Sequence, residues 1–254
     1  MMFVPSAAAR IAWAAGIRRL LLAGVLALSA CRTAPPPPSP PVIEAAPAPA
    51  VVPERIEHYR VDDQASQVLI LVYRDGRMAR LGHNHLLRVR QLSGEVVVPK
   101  EMANTTFTLE FPVAALSVDE KALRAEQGED FKATIDPASI DGTRDHMLGE
   151  KLLDAVHFPV IRLQSGPLSA QGDQWTASLS ITVRDHVSTV LVPISLNMDP
   201  DSLTASGEFD LTHAQLGLTP YSVGLGAIRV AEIMHVRFRV LARHVEDSVG
   251  ADHP

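Results

Sequence analysis

The second half of the chain holds four successive segments in which apolar and polar side chains alternate residue by residue. Because neighbouring side chains of a β-strand point to opposite faces of a sheet, this period of two predicts four strands that share one buried face. Polar turns separate the segments, and the period is incompatible with a helical bundle. The apolar positions are Trp175, Ala177, Leu179, Ile181 and Val183; Val190, Val192, Ile194, Leu196 and Met198; Leu203, Ala205, Gly207, Phe209 and Leu211; and Met234, Val236, Phe238 and Val240.

The first half adds further β-rich segments. Residues 67–73 are apolar on both faces, which predicts a strand that is covered on its outside as well as its inside. Residues 105–111 place Phe107, Leu109 and Phe111 on one face. A sheet of this many strands would expose unpaired edges if it were open. We therefore expect closure into a barrel or a two-sheet sandwich.

Two short helices are predicted between strands of the first half. Asp119 is positioned to N-cap a helix that runs to about Gln127 and ends at Gly128. Thr143 is a second potential N-cap.

The apolar side chains that follow Thr143 form one helical stripe, Leu148, Leu152 and Ala155. Pro159 cannot continue the helix, so a strand is expected to start beyond it, with Ile161 and Leu163 on its buried face.

The same stretch carries a family resemblance. The segment Arg144-Asp145-x-x-Leu148, followed by Phe158-Pro159-x-Ile161-x-Leu163-x-Ser165, resembles the helix and strand motif of the YceI-like proteins. The resemblance covers residues 57–243. It implies a mainly β fold, a closed antiparallel lipocalin-like barrel with one or two short helices inserted between strands. For characterised members of the family it also implies binding of a long isoprenoid lipid.

The first thirty residues have the composition of a secretory signal. Three arginines, the only charges of this segment, precede the apolar run of residues 20–30, which is too short to span a bilayer. The run ends in Leu-Ser-Ala-Cys31, which resembles a bacterial lipobox. We therefore expect residues 1–30 to be a lipoprotein signal peptide and Cys31 to be the lipid attachment site. An ordinary signal peptide, which would leave a soluble periplasmic protein, and an uncleaved anchor remain alternatives.

A proline-rich segment follows the predicted anchor. Residues 31–56 cannot form a helix or a sheet ladder because proline lacks the amide hydrogen, so they are expected to be a disordered tether. A PxxP ligand for a partner protein is the sharper alternative. Arg32 follows the cysteine where an aspartate would favour inner-membrane retention, which makes the periplasmic face of the outer membrane the expected location. Residues 244–254 are predicted to be a disordered tail.

Composition excludes several classes of function. The formal net charge is −6, and removal of the predicted signal peptide would make it three units more negative, so a nucleic-acid partner is not expected. The single cysteine rules out an intramolecular disulfide. Nucleophile-elbow, zinc-protease, Walker A and dinucleotide-binding motifs are absent, and we expect neither enzymatic activity nor a cofactor. No pattern indicates an oligomeric state.

A histidine pair offers an alternative function. His83 and His85 are two residues apart, so on a strand both imidazoles would point to one face and could bind a metal ion. Two ligands do not make a site, and a third would have to come from a distant residue such as His146 or His157. A turn glycine followed by polar residues at a strand end explains the pair equally well. Under this alternative, the protein is a metal-binding or stress-related accessory protein that uses His83 and His85.

Arg144, Asp145 and His146 are consecutive and would point in different directions from a helix. We interpret them as the start of a helix fixed to the barrel rim, with Asp145 stabilised by the helix N-terminus.

The main functional hypothesis is a barrel lumen that holds a hydrophobic or amphiphilic molecule, isoprenoid-like if the resemblance is a guide. A lumen filled by the protein's own side chains, and hence a purely structural protein, stays open as an alternative. The residues expected to line the cavity are Phe107, Leu109, Phe111, Ile161, Leu163, Leu179, Ile181, Phe238 and Val240.

Overall fold

The structure is a computed structural model that describes residues 56–172 and 174–246. The predicted signal peptide, Cys31, most of the tether and most of the tail lie outside these residues. The strands are β1 (Glu57–Val61), β2 (Gln67–Asp75), β3 (His85–Arg88), β4 (Ser93–Val98), β5 (Thr106–Pro112), β6 (Ser117–Val118), β7 (Val160–Gln171), β8 (Gln174–Val183), β9 (His186–Asp199), β10 (Ser202–Thr212), β11 (Ser222–Val223) and β12 (Ile228–His244). The α-helices are α1 (Lys121–Ala125) and α2 (Pro137–Leu148).

The strands form one antiparallel sheet that closes on itself as an eight-stranded barrel. The first three barrel strands each consist of two parts, β1 with β2, β3 with β4, and β5 with β6, and the others are β7, β8, β9, β10 and β12. Closure occurs along β12, which pairs with β2 from Arg229 to Arg239 and with β1 near His244. Of the two closed architectures that the alternation allows, the structure has the antiparallel barrel, as the YceI-like resemblance implies.

The first three barrel strands bend where they are interrupted. Between β1 and β2 a 3-10 turn is capped by Asp62, whose carboxylate accepts the amides of Gln64 and Ala65 at 3.1 and 3.2 Å. Gln91, with φ 57°, lies between β3 and β4, and a second 3-10 turn separates β5 from β6. The parts β1, β4 and β5 pair with one another at one end of the barrel, here called the closed end. The parts β2, β3 and β6 pair at the other end, here called the mouth.

The outer face of β2 is covered, as its two-sided apolar sequence predicts. Leu69 and Leu71 point out of the barrel and pack against Leu86, Leu123 and Phe131, and all five side chains are buried. The covering residues come from α1 and the 3-10 turn that follows it. This arrangement gives the protein a second apolar cluster outside the lumen, called here the outer cluster.

The alternation in the second half is also confirmed, because most of its apolar positions are buried or half-buried inside the barrel. Met198 is an exception, since β9 runs past the core at the closed end and leaves it exposed. β9 pairs with β8 from His186 to Ile194 but with β10 only from Ser195 to Asp199. Toward the mouth β9 and β10 separate, and there His186 Nε2 donates to the carbonyl of Gln215 at 3.0 Å.

The first inserted helix differs from the sequence prediction. It spans only Lys121–Ala125, and Asp119 does not cap it. Asp119 has φ 54°, and its carboxylate accepts the backbone amide of Leu86 at 2.8 Å and the guanidinium of Arg124 at 2.6 Å. The prediction was wrong because the Leu86 amide from β3 and the Arg124 side chain from within the helix bind this carboxylate, which therefore does not accept an amide of the first helical turn.

The second helix begins six residues before the predicted N-cap. Asp136 is the N-cap, accepting the amide of Ser139 at 3.0 Å, and Pro137 occupies the first helical turn. An aspartate followed by proline is a stronger start signal than a lone threonine. Thr143 therefore lies inside the helix, where its hydroxyl donates to the carbonyl of Ser139 at 2.8 Å.

The end of α2 also corrects the prediction. The helix stops at Leu148, so Leu152 and Ala155 lie in the turns that follow, although all three side chains pack against the core. Arg144 to His146 lie in the C-terminal half of the helix, so the helix N-terminus does not stabilise Asp145. The expected attachment to the barrel is present, because the Arg144 guanidinium donates to carbonyls between β5 and β6. In the described part of the chain, no helix has the length and apolarity needed to cross a bilayer.

Candidate functional site

The barrel lumen contains two neighbouring cavities. The inner chamber lies toward the closed end and has a volume of about 120 Å³. The outer chamber lies toward the mouth and has a volume of about 440 Å³. Phe111 lines both chambers, so its ring lies where the two meet. The lumen is therefore partly filled by side chains and partly empty.

Apolar side chains form nearly the whole wall of the inner chamber, and Thr105 is its one polar residue among those described. The chamber offers no charged partner, so whatever occupies it must be apolar at this end. Seven of the nine lumen residues predicted from sequence line it: Phe107, Leu109, Phe111, Leu163, Leu179, Phe238 and Val240.

The two remaining candidates lie elsewhere. Ile161 is one pleat nearer the mouth than Leu163 and lines the outer chamber. Ile181 is buried in the main core and lines neither chamber. The inward face of both residues was predicted correctly. The alternation does not show where along the lumen space is left unfilled.

Sequence reasoning did not select other residues of the inner chamber as site residues. Seven of them belong to the alternating sets of the second half, so the signal for an inward face was present: Val192, Ile194, Leu196, Leu203, Ala205, Phe209 and Val236. Val89, Leu92 and Val96 also line the chamber from the bent second strand. The bend disrupts the alternation there, which is why no clear pattern marked them.

The outer chamber combines an apolar interior with polar side chains. Its apolar wall includes Ile70, Val72, Met147, Leu153 and Met234. The polar groups come from the strand ends and loops of the mouth and from α2, and include Arg74, His83, His85, His146, Tyr221 and Arg229. An amphiphile can place its apolar part inward and its polar group toward the opening in such a chamber.

A buried polar network fixes the segment that carries the histidine pair. His85 Nδ1 donates to the Asp119 carboxylate at 2.6 Å. The same carboxylate forms an ion pair with the Arg124 guanidinium. Arg124 also donates to the carbonyl of Asn84 at 2.7 Å. The Asn84 side chain accepts the amide of Arg74 at 3.0 Å. These bonds orient His85 and join the start of β3 to the inserted helix.

The charge state of Asp119 is set by this network. Burial alone would raise the pKa of its carboxyl group. Hydrogen bonds from His85 and the Leu86 amide, together with the Arg124 charge, outweigh burial and hold the pKa below its ordinary value. The carboxylate is therefore ionised at neutral pH, and its bonds make the network a structural anchor.

The geometry brings His83 and His85 together, with ring centroids 6.3 Å apart. Among residues 56–172 and 174–246, however, no three histidine, cysteine, aspartate or glutamate side chains are grouped so that they could hold a metal ion. His146 lies on the same chamber, but its Nδ1 donates to the carbonyl of Gly142 at 2.7 Å. His157 is exposed and donates to Asp154 at 2.9 Å.

Two contacts join the elements around the opening of the outer chamber. The rings of His146 and Tyr221 are 4.8 Å apart, which links the loop before β12 to α2. Arg229 forms an ion pair with Asp75 at 2.6 Å, which links the start of β12 to the end of β2. The opening is thus bordered by α2, β2 and the loop before β12.

Comparison with known proteins agrees with this architecture. The family model of the YceI-like domain matches residues 59–242. The crystal structure of BcnA from Burkholderia cenocepacia is similar over 71% of this chain and 98% of that chain, with 16% sequence identity and a TM-score of 0.53. A Campylobacter jejuni YceI protein covers 63% of this chain and 85% of its own, with 8% identity and a TM-score of 0.46. No curated protein matches the sequence.

Proposed function

The chain belongs to the YceI-like family, and from that premise and its lumen we propose that it is a binding protein for a hydrophobic or amphiphilic molecule. One observation carries this proposal. The closed barrel leaves an apolar inner chamber that meets a larger chamber at the mouth, instead of a fully packed core. Unfilled apolar volume lowers the stability of a protein, so its presence is explained by a ligand that fills it.

We propose that the ligand is isoprenoid-like, with a polar end near the mouth. The outer chamber has the volume of an ordinary ligand site. The inner chamber resembles in size an apolar cavity that holds one benzene molecule, so it accepts the end of a tail. A tail of many isoprene units requires the side chains between the chambers, Phe111 first, to move.

Burial of apolar surface supplies enough energy for this mode of binding. At about 25 cal/mol per Å², enclosing roughly 300 Å² of a tail contributes on the order of 7 kcal/mol before ordering costs. No charged contact is required in the inner chamber. We infer a binding role without catalysis, since the carboxylate beside His85 is bonded to Arg124 and a backbone amide.

The test is to fill the inner chamber. Ala205 lines it, and Ala205→Phe should occupy the space and reduce co-purified lipid at least tenfold in mass spectra of extracted protein. Ser206→Phe places the same ring on the outer surface of the same strand and should retain the lipid. Melting temperatures of both variants verify folding. Equal loss in both folded variants, or no lipid in the wild type, refutes the proposal.

Elemental analysis of the same samples tests the metal alternative. No geometric observation favours a metal site at His83 and His85, so we expect no stoichiometric metal. If one equivalent of metal were found and His83→Ala removed it while the lipid remained absent, the accessory-protein hypothesis would replace the lipid-binding one.

We also propose that the protein is held at the periplasmic face of the outer membrane through lipid on Cys31. The sequence supports this through the apolar run that ends in Leu-Ser-Ala-Cys31 and the proline-rich segment after it. Cys31→Ala should release the protein from the membrane fraction. Retention of Cys31→Ala in that fraction, with no lipid on the wild-type N-terminus, would contradict the anchor and favour a different mode of export.

A further inference from the structure

Two loops at the mouth carry a concentration of exposed apolar side chains. The rim loops are residues 76–84, between β2 and β3, and residues 220–227, around β11. Of the eleven large hydrophobic side chains exposed in the described part of the chain, five lie on these seventeen residues. They form the rim patch: Met78, Leu81, Tyr221, Val223 and Leu225.

The rim loops are in contact, so their apolar side chains belong to one surface. The amide of Met78 donates to the carbonyl of Ala227 at 2.8 Å. Gly76, with φ 100°, permits this approach, because a Cβ there would lie 2.5 Å from the Ala227 carbonyl oxygen. Both loops also contribute residues to the wall of the outer chamber, among them His83 and Tyr221. The rim patch therefore borders the opening through which a ligand would pass.

The exposed side chain of Leu225 lies on a residue whose backbone conformation is unfavourable. It is fully exposed at the loop tip, and it has φ 55° between Gly224 and Gly226, which also have positive φ. A leucine in the left-handed region is disfavoured, and an exposed leucine gains no burial energy within the isolated protein. A polar residue would satisfy the same turn, so the leucine is explained by contact with another surface.

The charge of the rim loops identifies that surface. Arg77 and Arg80 are exposed and are the only charged residues of the two loops, in a chain whose formal net charge is −6. No ion pair to either arginine is present in the described part of the chain. The two rim loops thus place positive charge, with no acidic residue of their own, directly beside the apolar patch.

We propose that the rim patch and its two arginines dock the mouth onto a bilayer that contains anionic lipids. The apolar tips would enter the interface, the tyrosine would lie at the headgroup level, and Arg77 and Arg80 would bind lipid phosphates. The outer chamber then opens directly onto the lipid, and a hydrophobic ligand passes between bilayer and barrel without crossing water. The first strand of the described chain, β1, starts at the closed end, opposite the rim patch.

The test uses residues 31–254 with Cys31→Ala, so that no acyl chain contributes to membrane binding. The closed barrel and its three core clusters are complete within residues 57–244, so the retained chain contains all of the described fold. Binding to vesicles of phosphatidylcholine alone, and of phosphatidylcholine with one-third phosphatidylglycerol, is measured by flotation. We expect binding to the anionic vesicles that weakens at high salt. Vesicle binding does not require a ligand in the barrel, so this experiment succeeds or fails independently of the proposed function.

Matched variants assign the binding to the rim. Leu225→Ser should reduce the partition coefficient at least fivefold, whereas Leu191→Ser, on an exposed wall position of β9, should leave it unchanged. Arg77→Gln and Arg80→Gln should each reduce binding to anionic vesicles about fivefold, which corresponds to about 1 kcal/mol per arginine. Arg60→Gln, near the closed end, is the control for charge.

The proposal is overturned if the protein floats with neither kind of vesicle. That result would also be seen if the rim patch bound a partner protein and not a bilayer. The proposal is equally overturned if Leu191→Ser is as damaging as Leu225→Ser.

Discussion

The two faces of β2 show how one strand serves stability and binding at once. On its outer face, Leu69 and Leu71 pack into the closed outer cluster, which the Asp119 network holds in place. On its inner face, Val68 borders the inner chamber and Ile70 the outer chamber. The outer face is packed and anchored by charge, while the inner face has empty volume beside it. Rigid packing outside the barrel allows space to be kept inside it.

Removal of the buried Arg124 cation should cause the largest loss of stability, and it should act on the outer face of β2. Arg124→Ala leaves the Asp119 carboxylate buried beside only a histidine and a backbone amide, and we expect a loss of about 3–5 kcal/mol in the free energy of unfolding. Urea denaturation measures the loss. As a control, Arg60→Ala removes an exposed ion pair to Glu95 and should cost less than about 1 kcal/mol. Equal effects of the two substitutions would mean that the network is not an anchor.

Truncation of neighbouring residues of β2 should separate the two faces directly. Leu71→Ala removes a fully buried side chain from the outer cluster and should cost about 2–5 kcal/mol. Ile70→Ala should cost less than half as much, because Ile70 is only half-buried and already borders unfilled space. Both values come from denaturation curves with equal slopes. A larger cost for Ile70→Ala would indicate that the outer chamber is packed in solution.

The smallest effect concerns pH. Because the pKa of Asp119 in the folded state is below its ordinary value of 3.8, its ionised form contributes stability above that value. This contribution is lost as the pH falls below about 4 toward the folded pKa. Urea unfolding between pH 6 and pH 3 should show the loss, and Asp119→Asn should show a shallower decline over the same range. Parallel curves for the two proteins would contradict the assignment to Asp119.

The same contrast between the faces explains which parts of the structure the sequence predicts. On the strands of the second half, each inward residue is followed by an outward one, so local alternation determines both the strand and its buried face. Residues 67–73 likewise indicate a strand covered on both sides, and the structure supplies the cover. The lumen candidates were therefore assigned to the correct face, with Ile161 and Ile181 displaced from the inner chamber only along the strands.

Local signals failed where a distant partner competes for the same side chain. Asp119 resembles an N-cap by sequence, but the His85 imidazole and the Leu86 amide bind its carboxylate across the fold. Thr143 lies inside α2 because Asp136 and Pro137 form a stronger start signal earlier in the chain. That signal is itself local, so the true start of this helix is a property of the sequence and not of the tertiary structure.

The sequence by itself determined the strands, their buried faces and the need for closure, because the period of side chains along a strand is a local property. Only the tertiary structure decided where the lumen stays empty, since the two chambers depend on how side chains from all eight barrel strands meet. The rim patch is also a tertiary property. Its two loops are separated by more than a hundred residues, and barrel closure between β2 and β12 brings them together.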